Sequence, residues 1–458
     1  MRRIKHLHKH LHERRHNRKR QSESQSPKKQ TIFNKIKSIW QRLGPGLITG
    51  ASDDDPSGIT TYSQAGAGYG LSTLWTALMC FPLMAAIQEM CGRIGLVTGQ
   101  GLTKVVKRHY PKWIIYLIGI VSVPAIILNI AADLAGMGAV SNMIFPIIPA
   151  WVFTILAALA VMFSVVLFSY KKLEEVLKYL GLILLLYFII PFMIKQDWAK
   201  IGLATIIPHF ELNKDFIAII VAILGTTISP YLFFWEASLE VEQYNSKHHK
   251  TSEPDQISDQ NLTDISPIEM KEMRQDNNFG MFFSEITMFF IILTTGSVLF
   301  PNGITSIATV QDAATALKPF AGDFAYILFA LGVIGTGFLA IPVLAGACGY
   351  IISEMFDWQE GMNNKFAQAR GFYEVICFSI LIGLGLSVSG MDPIKSLIWS
   401  AIVYGVTAPI LIFIILHIAN REDIMGKWKN GWLANSLGII GLVLMTLAAG
   451  LLIYTSFV

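Results

Sequence analysis

Three consecutive carboxylates, Asp53, Asp54 and Asp55, run directly into Pro56, Ser57 and Gly58 inside an otherwise apolar stretch, GPGLITGASDDDPSGITTYSQAGAGYG, residues 44–70. A second apolar stretch, 216–243, is interrupted at its middle by GTTISP, which places Gly225, Thr226, Thr227, Ser229 and Pro230 where a helix should be continuous. The first interruption offers carboxylates with Ser and Thr hydroxyls close by. The second offers hydroxyls and the backbone carbonyls that a proline sets free. Neither contains His, Cys or Met. An all-oxygen set suits the hard cations magnesium, calcium and manganese, and not copper or zinc. The concentrated negative charge points to a cation over an anion or a zwitterionic amino acid; an organic amine also fits it.

These residues need elements that can hold them inside a membrane. A charge at the bilayer centre costs about 2.5–3.5 kcal/mol on insertion scales, and the flanks 44–52 and 59–72 are each too short to span alone. The stretch therefore reads as one helix broken near mid-membrane, its unwound turn (53–58) lining a polar cavity. Segment six reads the same way over 225–230, although a single proline-kinked helix would also explain it. Asp55-Pro56 and Ser229-Pro230 occupy matching places in two five-helix halves. Paired Gly/Pro-interrupted helices at equivalent positions point to the substrate site of an inverted-repeat transporter.

The rest of the chain supports a membrane setting. Only 15% of its 458 residues are charged and 53% are hydrophobic, too little charge for the shell of a soluble protein, which averages about 25%. Eleven apolar segments can be drawn, at 44–69, 72–97, 113–137, 148–170, 173–194, 216–241, 279–300, 323–353, 371–389, 393–418 and 432–456. With the N-terminus inside, 31 of the 36 Lys and Arg fall on the inner side, as the positive-inside rule asks. The expected organisation is a basic, His-rich cytoplasmic tail (1–42), a first inverted repeat (43–195), a second (216–418) containing a flexible cytoplasmic loop at 245–277, and an eleventh helix (432–456). The C-terminus then lies outside, and the cell (inner) membrane is the expected location. The tail carries His6, His8, His10, His12 and His16; it reads as a disordered, lipid-facing segment or as a weak metal-collecting one.

Cys80, Cys91, Cys348 and Cys377 lie in apolar runs without CxxC spacing and read as small core residues. Trp75, Trp113, Trp151 and Trp399 read as interface anchors. Glu174 and Glu175, after Lys171 and Lys172, read as helix-start acids. Glu89 and Arg93 are one turn apart and read as an ion pair, structural or gating. Glu285 is a costly charge inside segment seven and could face the cavity. Asp53 reads as the most water-exposed of the three acids. No nucleotide-binding, zinc-protease or nucleophile-elbow pattern is present, so an enzyme is not expected. No resident cofactor, nucleic-acid partner or obligate protein partner is expected either; the partners are the lipid bilayer and a divalent cation.

GPGLITGASDDDPSGI, the downstream QEMCGRIGLVTGQGL (88–102), GTTISP, ADLAG (132–136) and AGACGYIISEMF (345–356) together resemble the NRAMP divalent-metal transporters over most of 40–418. The resemblance implies an all-α polytopic membrane protein with the leucine-transporter fold, two inverted five-helix repeats plus an eleventh helix. It also implies a metal site at Asp55, Asp54, Gly58, Thr226 and Ser229. Asp55 matches the family's metal-holding Asp, while Gly58 stands in place of its Asn. Thr226 and Ser229 stand in place of an Ala carbonyl and a Met thioether. Tyr231 and Glu236 stand at two His positions, Asp133 matches a third-helix acid, Gly136 stands for a following Glu, and Ala401 for a tenth-helix Gln. Asp53, Tyr231, Glu236, Asp133 and Glu285 become candidate coupling or cavity-lining residues.

These departures remove a soft sulfur ligand and thin out the proton route, so the chain resembles most the magnesium-transporting branch related to NRAMP. Magnesium gives up its waters reluctantly, and small residues leave room for a partly hydrated ion. The expected function is a secondary-type transporter moving magnesium and/or manganese by alternating access. The alternatives are an ordinary proton-coupled manganese/iron importer and, from another class, a divalent cation channel.

Overall fold

The computed structural model describes residues 45–167, 186–248 and 265–457. The basic tail with its five His, Glu174, Glu175, Lys171, Lys172 and residues 249–264 of the expected loop lie outside the described residues. Within the described residues each of the eleven expected apolar segments contains helix; residues 168–170 of the fourth and 173–185 of the fifth lie outside them.

The main helices are α1 (Pro45–Asp53), α2 (Pro56–Tyr69), α3 (Trp75–Thr98), α4 (Leu102–His109), α5 (Lys112–Ile144), α6 (Ala150–Leu167), α7 (Leu186–Met193), α8 (Trp198–Ile206), α9 (Lys214–Thr227), α10 (Pro230–Lys247), α11 (Pro267–Val298), α12 (Ala325–Phe356), α13 (Arg370–Ser387), α14 (Pro393–Asn420) and α15 (Trp432–Phe457). Among the described residues, nine helical stretches are long and apolar enough to cross a membrane, 214–247 being counted across its break. The first segment is not one of them, because its three Asp and its break interrupt it.

Both breaks are narrower than the sequence suggested. The first leaves helix only at Asp54 and Asp55, and the second only at Ile228 and Ser229. Asp53 ends α1, Ser57 and Gly58 open α2, and Gly225 to Thr227 are still in α9. The reason is the position of proline. Pro56 and Pro230 sit at the first helical position, where the missing N–H would have been unpaired anyway and the fixed φ suits a helix. Proline therefore restarts each helix, and only the two residues before it unwind. The residues ahead of the two prolines, Asp55 and Ser229, are both extended N-caps.

The polar insert is also shorter than 245–277. α10 runs to Lys247 and α11 starts at Pro267. Ser266 and Glu269 cap each other reciprocally there, a pairing that satisfies two orphan donors at once. Trp75 is buried, 7% exposed, and is no interface anchor, whereas Trp113, Trp151 and Trp399 are all more than half exposed. Cys80, Cys91, Cys348 and Cys377 are free thiols, the first three of them buried.

α11 packs along both α1 and α2, α9 along α14, and α5 against α12, α13 and α14. The approach of α1 to α11 is backbone to backbone. A Cβ on Gly50 would overlap the Gly280 carbonyl, so a glycine is required at that crossing.

Candidate metal site at the two helix breaks

The breaks face each other. A Cβ on Gly58, in the first turn of α2, would lie 3.2 Å from Thr226 Oγ1 in the last turn of α9, and 3.3 Å from the Asp53 carbonyl. Tyr62 and Thr227 hydroxyls are 3.1 Å apart across the same gap. Proline places the breaks, and the bare Gly58 lets the half-helices meet.

Asp55 is 2% exposed. Its Oδ1 accepts the Gly58 N–H at 2.6 Å, capping α2, and its Oδ2 accepts the Asn129 amide at 2.7 Å. A carboxylate at a helix N-terminus is favoured by the unpaired N–H groups and the dipole. Asp54 is also buried; its Oδ1 accepts from Ser284 at 3.3 Å, and its Oδ2 makes no hydrogen bond of normal geometry. Asp53 is fully buried, contrary to the exposed reading, because α11 covers it: Ser284 Oγ donates to its Oδ2 at 2.9 Å. The neighbouring Glu285 is 4% exposed, and neither of its oxygens is hydrogen-bonded.

The sixth-segment break is less open to a ligand than its hydroxyls suggested. Ser229 Oγ turns back across the break to the Thr226 carbonyl in the last turn of α9. Thr226 is buried against Gly58. Tyr231 donates to the Ser52 carbonyl at 2.8 Å and so straps the second half of segment six to the end of α1. Glu236 accepts from Thr49 Oγ1 at 2.5 Å, a further tie to α1. Asp133 is fully buried beside Asp55 and the Ser57 N–H. Ala401 is buried at the close crossing of α14 with Gly225 of α9. Asp55, Asp54, Gly58, Thr226, Asp133, Asp53 and Glu285 thus gather around the first break, while Ser229, Tyr231 and Glu236 make contacts within the scaffold.

At one end of the bundle Glu89 bonds both Arg93, at 3.3 Å, and Arg274 of α11, at 2.8 Å. Arg93 also donates to the Trp428 carbonyl at 2.9 Å and to Asn430. α3, α11 and the connection before α15 are therefore locked together there.

Sequence reading missed four neighbours. Asn129 and Tyr404 approach Asp55 from α5 and α14. Ser284 bridges Asp53 and Asp54. Met288 brings a thioether that accepts from Thr227 at 3.5 Å, so sulfur is absent from the breaks themselves but not from their surroundings. A signal for one of these existed: Asn129 and Asp133 are four apart in an apolar run and share a helix face.

A helical membrane bundle with two spanning segments broken face to face around a buried carboxylate has the leucine-transporter fold, an architecture of secondary transporters. The chain belongs to the natural resistance-associated macrophage protein-like (Nramp) family, whose sequence profile matches residues 46–455. It is 25% identical over 427 residues to the divalent metal cation transporter MntH of Caldanaerobacter subterraneus subsp. tengcongensis, covering 92% of this chain and 94% of that one. In structure it is similar to the manganese transporter of Eremococcus coleocola, with a TM-score of 0.67, 15% identity and coverage of 90% of this chain and 86% of that one. It is also similar to MhsT, solved with L-phenylalanine, with a TM-score of 0.57, 12% identity and coverage of 90% and 98%.

Proposed function

We propose that this protein moves divalent metal cations across the membrane by alternating access, with Asp55 as the principal anionic ligand. The observation that carries the reading is the burial of Asp55 at the N-cap of α2, opposite the second break, where Gly58 meets Thr226. A buried carboxylate in a membrane bundle, with no cationic side chain beside it among the described residues, is explained by a cation as cargo. A channel reading is disfavoured because the paired breaks lie in one chain, whereas filters are commonly built from rings of repeated groups.

Manganese is the first metal to test, since the relative from Caldanaerobacter is named a divalent metal cation transporter and the Eremococcus neighbour a manganese transporter. Magnesium is a second reading, favoured by one observation: the side chains that meet at the breaks offer oxygen, and the Met288 thioether beside them is engaged by Thr227. The placement of Lys and Arg supports a cytoplasmic N-terminus and an outer C-terminus in the cell membrane.

The test is uptake by the full-length protein in liposomes, with manganese, magnesium and internal pH recorded together. Saturable uptake of either metal, lost in Asp55→Ala, supports the reading. The absence of any divalent flux, or flux near the diffusion limit, overturns it.

A further inference from the structure

The side chains around Asp55 fall short of a closed metal cage. Among the described residues, no group of three or more His, Cys, Asp and Glu is placed to hold a metal ion. Any cation there must draw on neutral oxygens. Ser229 has turned its hydroxyl to the Thr226 carbonyl of α9 and Gly58 has no side chain, so the two breaks supply little beyond Asp55. The third spanning helix, α5, supplies more.

Asn129 is fully buried, and its Nδ2 donates to Asp55 Oδ2 at 2.7 Å. That bond fixes the amide orientation, because only the NH2 group can donate to a carboxylate. The carbonyl oxygen, Oδ1, is then turned away from Asp55 Oδ2 and makes no hydrogen bond of normal geometry. Leaving a buried amide oxygen unpaired is costly, which is a reason to expect a ligand there. One turn on, Asp133 presents two further oxygens without a hydrogen bond of normal geometry, close enough to Asp55 for the two charges to interact. The Tyr404 hydroxyl, beside the Asn129 amide, joins them from α14.

We propose that Asn129 is itself a ligand of the transported cation, its Oδ1 joining Asp55 and Asp133 in an all-oxygen site between the first-helix break and α5. The inference rests on the divalent-transport reading above. Two carboxylates match the charge of a divalent ion. The amide oxygen adds a neutral hard ligand, and water completes the sphere, as is usual for magnesium and acceptable to manganese. The site is thereby displaced from the midpoint of the two breaks toward α5.

The test uses full-length protein in liposomes and compares cadmium with magnesium and manganese. Wild type is measured first: if it moves none of the three, the transport reading fails and not this one. In Asn129→Cys a sulfur replaces the oxygen, and the preference for cadmium over magnesium should rise by about tenfold or more, since soft ligands select soft metals. An unchanged preference, with all metals reduced alike, would show that Asn129 only orients Asp55 and would overturn the proposal. Should that variant fail to fold, Asn129→Asp decides. A ligand role predicts retained or tighter manganese binding, because an oxygen and a charge face the ion. A merely positioning role predicts lost binding, because the donor to Asp55 is gone and a like charge replaces it.

Discussion

Thr49 and Glu236 are 187 positions apart in sequence and share a 2.5 Å hydrogen bond that ties α1 to α10. The first half of one broken helix is thereby fastened to the second half of the other. Gly46 N–H to Asp276 at 2.8 Å and the Gly50–Gly280 crossing fasten α1 to α11 beside it. The bundle is closed at this end, and opening it requires these contacts to part.

Cys91 reports that opening. It is fully buried and close to Glu236. Thr49→Val removes a side-chain hydrogen bond, worth about 1 kcal/mol, so the closed state is weakened. Cys91 should then react with a membrane-permeant thiol reagent about fivefold faster. The variant Cys91→Ala, labelled in parallel, identifies the reacting thiol among the four.

Asp55→Ala should leave a folded, monodisperse protein that takes up no metal above empty liposomes. Its loss also unpairs the Gly58 N–H and the Asn129 amide, so thermal stability should fall by an N-cap's worth, about 1 kcal/mol. Asp54→Asn should be milder, because its one hydrogen bond of normal geometry is long, at 3.3 Å from Ser284. Wild-type flux in Asp55→Ala would remove the central ligand from the account.

Gly58→Ala tests how closely the breaks meet. The new methyl would stand 3.2 Å from Thr226 Oγ1 and 3.3 Å from a backbone carbonyl, a crowding that costs about 1 kcal/mol, roughly a fivefold loss of uptake. Adding Thr226→Ala should recover most of it. A double variant no better than the single one would mean that the carbonyl of Asp53, and not Thr226, sets the spacing.

The Glu89 network should be sharply unequal in its two arms. Arg93 is 2% exposed and Arg274 is 46% exposed. Glu89→Gln breaks both arms and leaves the buried Arg93 guanidinium without its carboxylate, a loss of about 3 kcal/mol, readable as a fall in melting temperature in detergent. Arg274→Gln breaks the outer arm alone and should cost about 1 kcal/mol or less. Equal effects would show that the pair acts as one surface bridge.

Metal uptake should be accompanied by little proton movement. Of the two positions where the resemblance implies a His, Tyr231 has its hydroxyl committed to the Ser52 carbonyl, and a phenol with an ordinary pKa near 10 is a poor relay near neutrality; Glu236, held by Thr49, is left as the one carrier of the two. A pH indicator trapped in the liposomes should change far less than one proton per metal. Stoichiometric acidification would return the protein to ordinary proton-coupled behaviour.

Local features were legible in the chain. Apolar length marked the spans, and hydropathy over 20 or so residues decides membrane insertion wherever the rest of the fold lies. Prolines at 56 and 230 marked both breaks, because a missing N–H acts on its own helix; their exact width escaped, since the same proline restarts the helix it interrupts. Asp55 was visible as a charge with no business in lipid. What surrounds it was settled only in three dimensions. Asn129 meets Asp55 from 74 residues away, and Ser284 meets Asp53 from 231. Whether Ser229 turns to the cavity or to the Thr226 carbonyl depends on a side-chain torsion and on the neighbours that fill the space. Such contacts follow from which helix faces pack together, a property of the whole bundle that the order of residues along any one helix does not contain.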